Sequence, residues 1–140
     1  MITFLYNRTD LAKVYLPVKQ MLQIDRVSEV TLGGMSCEMD LGGHWAFPLH
    51  FPEDPIFPGC LMIEAAGQAI AIWAWHHGML GKPRLARVTA SFEGGVRPGD
   101  GVLSFEVKIR RRRNICFGTV ELICGQRRVA VVEETLAWVT

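Results

Sequence analysis

The sequence predicts an α+β domain in which an antiparallel sheet wraps around one long central helix. Two strand-like segments precede a single apolar segment of helical length, and about four strand-like segments follow it. The 140 residues suit one domain, and no linker, repeat or low-complexity tract divides them. We therefore predict a single domain over residues 1–140.

The two strands before the helix are predicted from their side-chain patterns. Residues 23–32 carry largely β-branched apolar side chains, which favour a strand, and the glycine pair at 33–34 predicts a turn. Residues 35–41 alternate apolar with polar side chains, which is typical of a half-buried strand. A second glycine pair at 42–43 ends that strand.

A proline-rich loop and a buried helix are predicted next. Residues 45–59 hold four prolines, a density that excludes a regular helix or a central strand. Loops of this length in a small domain are usually functional. Residues 59–77 then predict one helix that begins after Pro58 and is apolar nearly all round, so it should be buried nearly all round. Gly78 is a natural helix stop.

The second half of the chain predicts strands. The segments with strand character are 86–92, 102–112, 116–124 and 129–139, with a turn at 97–101. A sheet of this kind has exposed edges, and pairing of edges across a dimer would cover them.

Composition excludes several classes of function. The formal charge is +1, so no overall field favours nucleic acid or a membrane surface as a partner. No apolar run is long enough to span a bilayer, and the N-terminus lacks the features of a signal peptide. The four cysteines have no metal-ligand spacing, so we expect reduced thiols in a cytoplasmic protein and no metal site.

Three polar residues are candidates for chemistry. Glu64 lies in the apolar helix, where a carboxylate is costly unless it is paired or protonated, and a protonated carboxyl could act as a general acid. Gln68 lies four residues on, on the same helix face, where its amide could orient that carboxyl. His50, in the proline-rich loop, has the side chain most used for proton transfer near neutral pH. Whether His50 and Glu64 meet, and within one subunit or between two, stays open at this point.

The predicted helix N-terminus is a further candidate. The N–H groups of Gly59 and Cys60 have no partner within the helix and carry the positive end of its dipole. A thioester carbonyl directed at them would be polarised as it becomes enolate-like. Gly59 has no side chain and would allow close approach. Cys60 is interpreted as a residue that lines the pocket, not as a nucleophile.

Simpler interpretations of these residues stay open. A loop histidine is often structural, and Glu64 could lie at a subunit interface, paired with Arg84 or Arg87. The four arginines at 110–113 form either a solvated turn or a docking patch for an acidic carrier protein. Nucleic-acid binding is disfavoured, because the run is short and no aromatic platform accompanies it.

Residues 50–68, HFPEDPIFPGCLMIEAAGQ, resemble the β-hydroxyacyl-(acyl-carrier-protein) dehydratases of fatty-acid synthesis. Every fixed position of that family's pattern, H-F-P-x-x-P-[IV]-x-P-G-[VC]-L-x-x-[ED]-A-x-x-Q, is filled. Weaker similarity covers residues 16–17, 21–30 and 96–107. The resemblance implies a hot-dog fold and a homodimer, or a higher oligomer of dimers.

The resemblance also implies a role for each candidate. His50 would be the catalytic base and Glu64 its acidic partner, contributed by the other subunit, with Gln68 orienting Glu64. The amides of Gly59 and Cys60 would bind the thioester carbonyl. The implied reaction converts a (3R)-3-hydroxyacyl thioester, carried by acyl-carrier protein, into water and a trans-2-enoyl thioester. It needs no metal and no other cofactor.

Several features bear on the subfamily. Glutamate at position 64 is typical of the branch that dehydrates without isomerising the double bond, although residues 54–61 are more like the isomerising branch. Leu49 replaces the family's glycine before the histidine, and residues 16–19 depart from its usual segment. Two other functions are kept as alternatives: a hot-dog acyl thioesterase, and a non-catalytic module that binds acyl thioesters.

Overall fold

The computed structural model describes residues 3–140 and contains one seven-stranded antiparallel sheet. Its strands are β1 Tyr6–Asn7, β2 Arg26–Val30, β3 Gly34–Asp40, β4 Lys82–Phe92, β5 Val102–Arg112, β6 Ile115–Cys124 and β7 Arg127–Val139. They lie in the order β1-β2-β3-β5-β6-β7-β4. The helices are α1 Arg8–Leu11 and the long α2 Gly59–His76, with short 3-10 turns at Lys19–Met21 and Pro98–Asp100. The predicted α+β fold, a sheet wrapped around one long helix, is confirmed, and it is the hot-dog architecture.

Helix α2 forms the core together with the face of the sheet that curves around it. Most of its side chains are buried, and it contacts β3, β4, β5, β6 and β7. Small residues allow this close approach: a Cβ added at Gly118 of β6 would come within 2.8 Å of Ile70 Cγ1. Full burial of a side chain such as Ile70 stabilises the fold by about 1.5–3 kcal/mol. No helix in residues 3–140 is long and apolar enough to cross a membrane.

Strand β4 is an edge strand with apolar side chains in solvent. It pairs with β7 on one side, and its other edge pairs with no strand among residues 3–140. Leu85, Val88 and Phe92 are 52%, 38% and 50% exposed. A long open edge with exposed apolar side chains is a ready template for pairing with another chain.

The structure corrects several predicted boundaries. Strand β4 begins at Lys82, four residues before the predicted start at 86, because an exposed edge strand tolerates arginines and even Pro83 without an alternating pattern. Strand β2 begins at Arg26 and ends at Val30, so Leu32, predicted as part of this strand, is 86% exposed in the following turn. The N-terminal strand and short helix over 6–11 were not predicted.

The proline-rich segment between β3 and α2 is a stiff loop, as predicted. Residues 41–58 contain neither helix nor strand. Hydrogen bonds fasten the loop to the turn before β5: Phe57 N–H donates to Val96 O at 2.8 Å, and Arg97 Nη1 donates to Asp54 Oδ1 at 2.7 Å. The loop is thus held against the end of the sheet from which α2 begins.

Candidate active site

A cavity of about 570 Å³ follows one side of α2. The helix lines it with residues from four successive turns, from Cys60 to Ala71, over a length of about 16 Å. The other walls come from the N-terminal segment, β4 and β7, namely Tyr15, Leu16, Pro17, Pro83, Leu85, Glu134 and Leu136. A long, mainly apolar cavity with a few polar groups is typical of sites that bind small molecules with an extended apolar part.

Gln68 is buried and fixes the carboxyl of Glu64. The Oε1 of Gln68 accepts a hydrogen bond from the Gln23 N–H at 2.7 Å. This contact fixes the orientation of the side-chain amide and leaves its Nε2 group to donate elsewhere. That nitrogen donates to Met21 O and to Glu64 Oε2, each at 2.8 Å. Glu64 itself is half-buried and opens onto the cavity, whereas the sequence predicted an acid surrounded by apolar side chains. The amide of Gln68 thus holds one carboxyl oxygen in a defined direction.

The segment before β2 supports this arrangement through a second buried amide. Gln23 is 1% exposed, and its Nε2 donates to the carbonyl groups of Gln20 and Met21. Its Oε1 lies 2.8 Å from Nε2 of His44, whose pKa is lowered by burial. His44 is therefore a structural histidine that ties the loop to this segment. Gln23 was not among the site residues that the sequence predicted, because its contacts with Gln68 and His44 join residues far apart in the chain.

His50 is held by its own loop. Its Nδ1 lies 2.9 Å from Ile56 O, and the Ile56 N–H donates to His50 O at 2.9 Å. The ring stacks on Phe51, with 4.0 Å between ring centroids. A neutral imidazole that donates from Nδ1 to a carbonyl keeps an unprotonated Nε2, which can accept a proton.

The candidates do not all come together within one chain. Glu64, Gln68 and Cys60 line the cavity, but the described part of loop 41–58 contributes nothing to its walls, so His50 lies outside it. The cavity lining includes residues of the edge strand β4, so a second chain paired there would adjoin it.

The first turn of α2 has free donors. No acceptor in the described part of the chain bonds the N–H groups of Gly59 and Cys60. Gly59 also has a packing role, because a Cβ there would come within 3.0 Å of the Phe92 ring. Cys60 is exposed and lines the cavity. The first turn of α2 therefore has two N–H groups without a backbone partner, and one of them belongs to Cys60, which lines the cavity.

Glu134 is a second acid at the cavity, and sequence analysis overlooked it. Its side chain is 4% exposed, and Oε2 accepts no hydrogen bond from any residue in 3–140. Burial, and next the charge of Glu64, raise the pKa of Glu134 from 4.5 to about 8. Gly67 of α2 makes room for it, since a Cβ there would lie 3.1 Å from Glu134 Oε1. At neutral pH this carboxyl is mostly protonated.

The alternating pattern of β7 could have revealed Glu134. From Ala130 onward, side chains at even positions of this strand are buried in the core, among them Val132, Leu136 and Trp138. Glu134 also has an even number, so it lies on the same face of β7 as these residues and its carboxyl is in the core.

The alternative partners of Glu64 do not contact it in a single chain. Among residues 3–140, no ion pair joins Glu64 to Arg84 or Arg87. The run 110–113 closes the β5–β6 hairpin in solvent, with the Arg110 guanidinium 4.7 Å from the centroid of the Phe117 ring. No group of metal-ligating residues occurs in the described part of the chain.

Comparisons with known proteins agree with this architecture. A family model described as a FabA-like domain matches residues 16–133. A dehydratase heterocomplex, ApeI:P from Xenorhabdus doucetiae, is similar at a TM-score of 0.74 and 18% identity, over 90% of this chain and 89% of that one. A mutant thioesterase from Pseudomonas aeruginosa is similar at a TM-score of 0.66 and 14% identity, over 85% and 83%. A thioesterase from Haemophilus influenzae is similar at 0.66 and 15%, over 86% and 80%. At these identities the likeness concerns the fold, which dehydratases and thioesterases share.

Proposed function

This chain belongs to the FabA-like family of hot-dog domains, and we propose that it is a lyase that dehydrates (3R)-3-hydroxyacyl thioesters to trans-2-enoyl thioesters. The observation that carries the proposal is the carboxyl of Glu64, held by Gln68 in a long cavity that Cys60, in the first turn of α2, also lines. The signature over residues 50–68 supports the same assignment. Acyl-carrier protein is the proposed carrier of the substrate.

The proposed reaction uses one base, one acid and two amides. Nε2 of His50 takes the α-proton, which it can do because Nδ1 is bonded to Ile56 O. The Gly59 and Cys60 N–H groups stabilise the negative charge that develops on the thioester oxygen. Glu64 then donates a proton to the β-hydroxyl as the C–O bond breaks. A C–H bond and a C–O bond are replaced by a C=C bond and water, and Glu64 regains its proton from His50.

The proposed catalytic unit is a homodimer paired at the free edge of β4. Such pairing would cover the apolar side chains that β4 exposes, namely Leu85, Val88 and Phe92. It would also place a second chain beside the cavity that Glu64 lines, so that His50 of one chain acts with Glu64 of the other. The separation of His50 from this cavity within one chain supports a shared site.

The proposal also includes a partner, a location and a product. The exposed arginines at 110–113 favour an acidic carrier protein as the partner that delivers the substrate. Four free thiols favour the cytoplasm, where cysteines stay reduced. Glutamate at position 64 favours dehydration without isomerisation.

Acyl-thioester hydrolysis is the second candidate function. It is favoured by the similarity to the two thioesterases and by the carboxyl of Glu64, which could activate water against the thioester carbonyl. A hydrolase has less need of a base above the α-carbon, so His50 weighs against it. The two functions release different products, a free thiol in one case and an enoyl thioester in the other.

The test follows enoyl-thioester absorbance on a carrier-linked 3-hydroxyacyl substrate. We expect turnover by the wild type and a loss of about 100-fold or more in His50→Ala and in Glu64→Gln. Glu133→Gln, a matched change on the opposite face of β7, should retain activity. Co-expression of the His50→Ala and Glu64→Gln chains should restore part of the activity, because a hybrid dimer has one intact shared site. Thiol release without enoyl formation, or no turnover by the wild type, would overturn the proposal.

A further inference from the structure

The carboxyl of Glu134 is a polar group in the wall of the cavity, and it has no role in the proposed dehydration. It is 4% exposed, and its Oε2 has no hydrogen-bond partner among the described residues. An unpaired buried polar group costs about 1–3 kcal/mol, so such groups usually have a partner in the working protein. The lining that one chain gives the cavity contains no lysine, arginine or histidine that could pair with Glu134.

The position of Glu134 along α2 indicates which carbon of a bound acyl chain it would lie beside. Its Oε1 lies beside Gly67, three residues beyond Glu64 on the same helix. Three residues of helix advance about 4.5 Å, a distance that roughly four carbon–carbon bonds of an extended chain span. If Glu64 acts at the β-carbon, Glu134 lies beside a carbon roughly four bonds further from the thioester.

The protonation state of the Glu134 carboxyl determines which ligand groups it can hydrogen-bond. Burial raises the pKa of Glu134 to about 8, so at neutral pH it offers one O–H donor and one free acceptor. A methylene group satisfies neither, and an alkyl chain would leave the carboxyl unpaired and exclude water from it. A hydroxyl or keto oxygen on the chain would pair with it.

We propose that Glu134 is a specificity-determining residue, which hydrogen-bonds an oxygen substituent on the distal part of the acyl chain. The cavity therefore takes acyl thioesters oxygenated beyond the β-carbon in preference to plain alkyl ones. This inference rests on the proposed function for the placement of the substrate, and it deepens that function by naming the substrate class. Sites built to hydrogen-bond a substrate hydroxyl discriminate strongly against analogues that lack it.

The test compares two N-acetylcysteamine thioesters of equal length, 3-hydroxyoctanoyl and 3,7-dihydroxyoctanoyl. We expect the wild type to favour the dihydroxy substrate in kcat/KM by about tenfold or more. Glu134→Leu should remove or invert this preference, and Glu134→Gln should keep part of it. Glu133→Leu, on the outer face of the same strand, is the matched control and should leave the ratio unchanged.

A binding measurement separates failure of this inference from failure of the proposed function. The probes are the octanoyl and 7-hydroxyoctanoyl thioesters, which carry no β-hydroxyl, and their affinities are measured by calorimetry. Tighter binding of the hydroxylated probe to the wild type, lost in Glu134→Leu, supports the inference even if no dehydration occurs. Equal affinities, or a preference that persists in Glu134→Leu, overturn it whatever the turnover. If Glu134→Leu fails to fold, Gly67→Ala serves instead, because its methyl group displaces the carboxyl and should weaken the preference.

Discussion

Replacement of the buried acid Glu134 by glutamine should change how stability depends on pH. The uncharged amide keeps the size of the side chain and removes its titration. Among the described residues, Glu64 of α2 is the charged group that raises the pKa of Glu134, while Val88 of β4 and Gly118 of β6 are its uncharged partners in the sheet. The effect of the substitution therefore reports mainly the burial of one carboxyl.

The sign and size follow from the pKa values in the two states. The folded protein binds this proton more tightly, because burial raises the pKa of Glu134 from 4.5 to about 8. Between those values the folded state holds more protons than the unfolded state, so the free energy of unfolding falls as pH rises, by about 1.4 kcal/mol per pH unit. The fall ends as pH passes 8. From pH 6 to pH 9 it amounts to roughly 2 to 3 kcal/mol.

Urea unfolding of the wild type and of Glu134→Gln at pH 6 and pH 9 measures this contribution. Protein concentration is held fixed, since any oligomer makes stability depend on it. Titrating groups away from Glu134 affect both proteins equally, so the advantage of Glu134→Gln over wild type should grow by roughly 2 to 3 kcal/mol from pH 6 to pH 9. Glu133→Gln should show no such growth. Curves for wild type and Glu134→Gln that stay parallel between the two pH values would refute the reasoning.

Two further substitutions test how the core positions the site. Gln68→Leu leaves the Gln23 N–H without its acceptor and should lower the free energy of unfolding in urea by about 2–3 kcal/mol, whereas the exposed Gln126→Leu should change it little. Gly118→Ala places a methyl group against Ile70 and should cost about 1–3 kcal/mol, and Ile70→Ala in the same protein should relieve part of that cost. If the unfolding free-energy changes of Gly118→Ala and Ile70→Ala simply add in the double variant, the close contact between α2 and β6 is contradicted.

The parts of the fold that the sequence predicted are those whose burial leaves a pattern. Helix α2 is apolar all round because the sheet surrounds it, and β6 alternates buried and half-buried side chains along its whole length. The first residues of β4 were missed because this edge strand is exposed on both faces, so arginines interrupt any alternation there. The short elements over 6–11 were missed because so few residues carry no periodicity.

The candidate site was predicted unevenly for a similar reason. Glu64 and Gln68 are spaced four residues apart on one helix, and that spacing predicts their contact, which the structure shows at 2.8 Å. The contact of Glu134 with the helix joins residues far apart in the chain. Only two sequence features indicate this contact: the alternation of buried side chains along β7, and the small residue Gly67 on the helix. Neither feature alone identifies which residue of the helix Glu134 contacts. The meeting of His50 with Glu64 would need a second chain, which a single sequence does not position.

The side chains around α2, not the fold, must decide between dehydration and hydrolysis, because dehydratases and thioesterases share this architecture. The carboxyl of Glu64 could serve either proposed reaction, as an acid for a β-hydroxyl or as a base for water. His50 differs, since the proposed dehydration needs an unprotonated Nε2 to remove the α-proton, whereas hydrolysis that uses Glu64 has less need of a second base. His50→Ala is therefore the more discriminating variant: a hydrolase that depends on Glu64 would keep its activity, whereas a dehydratase would lose it together with the Glu64→Gln protein.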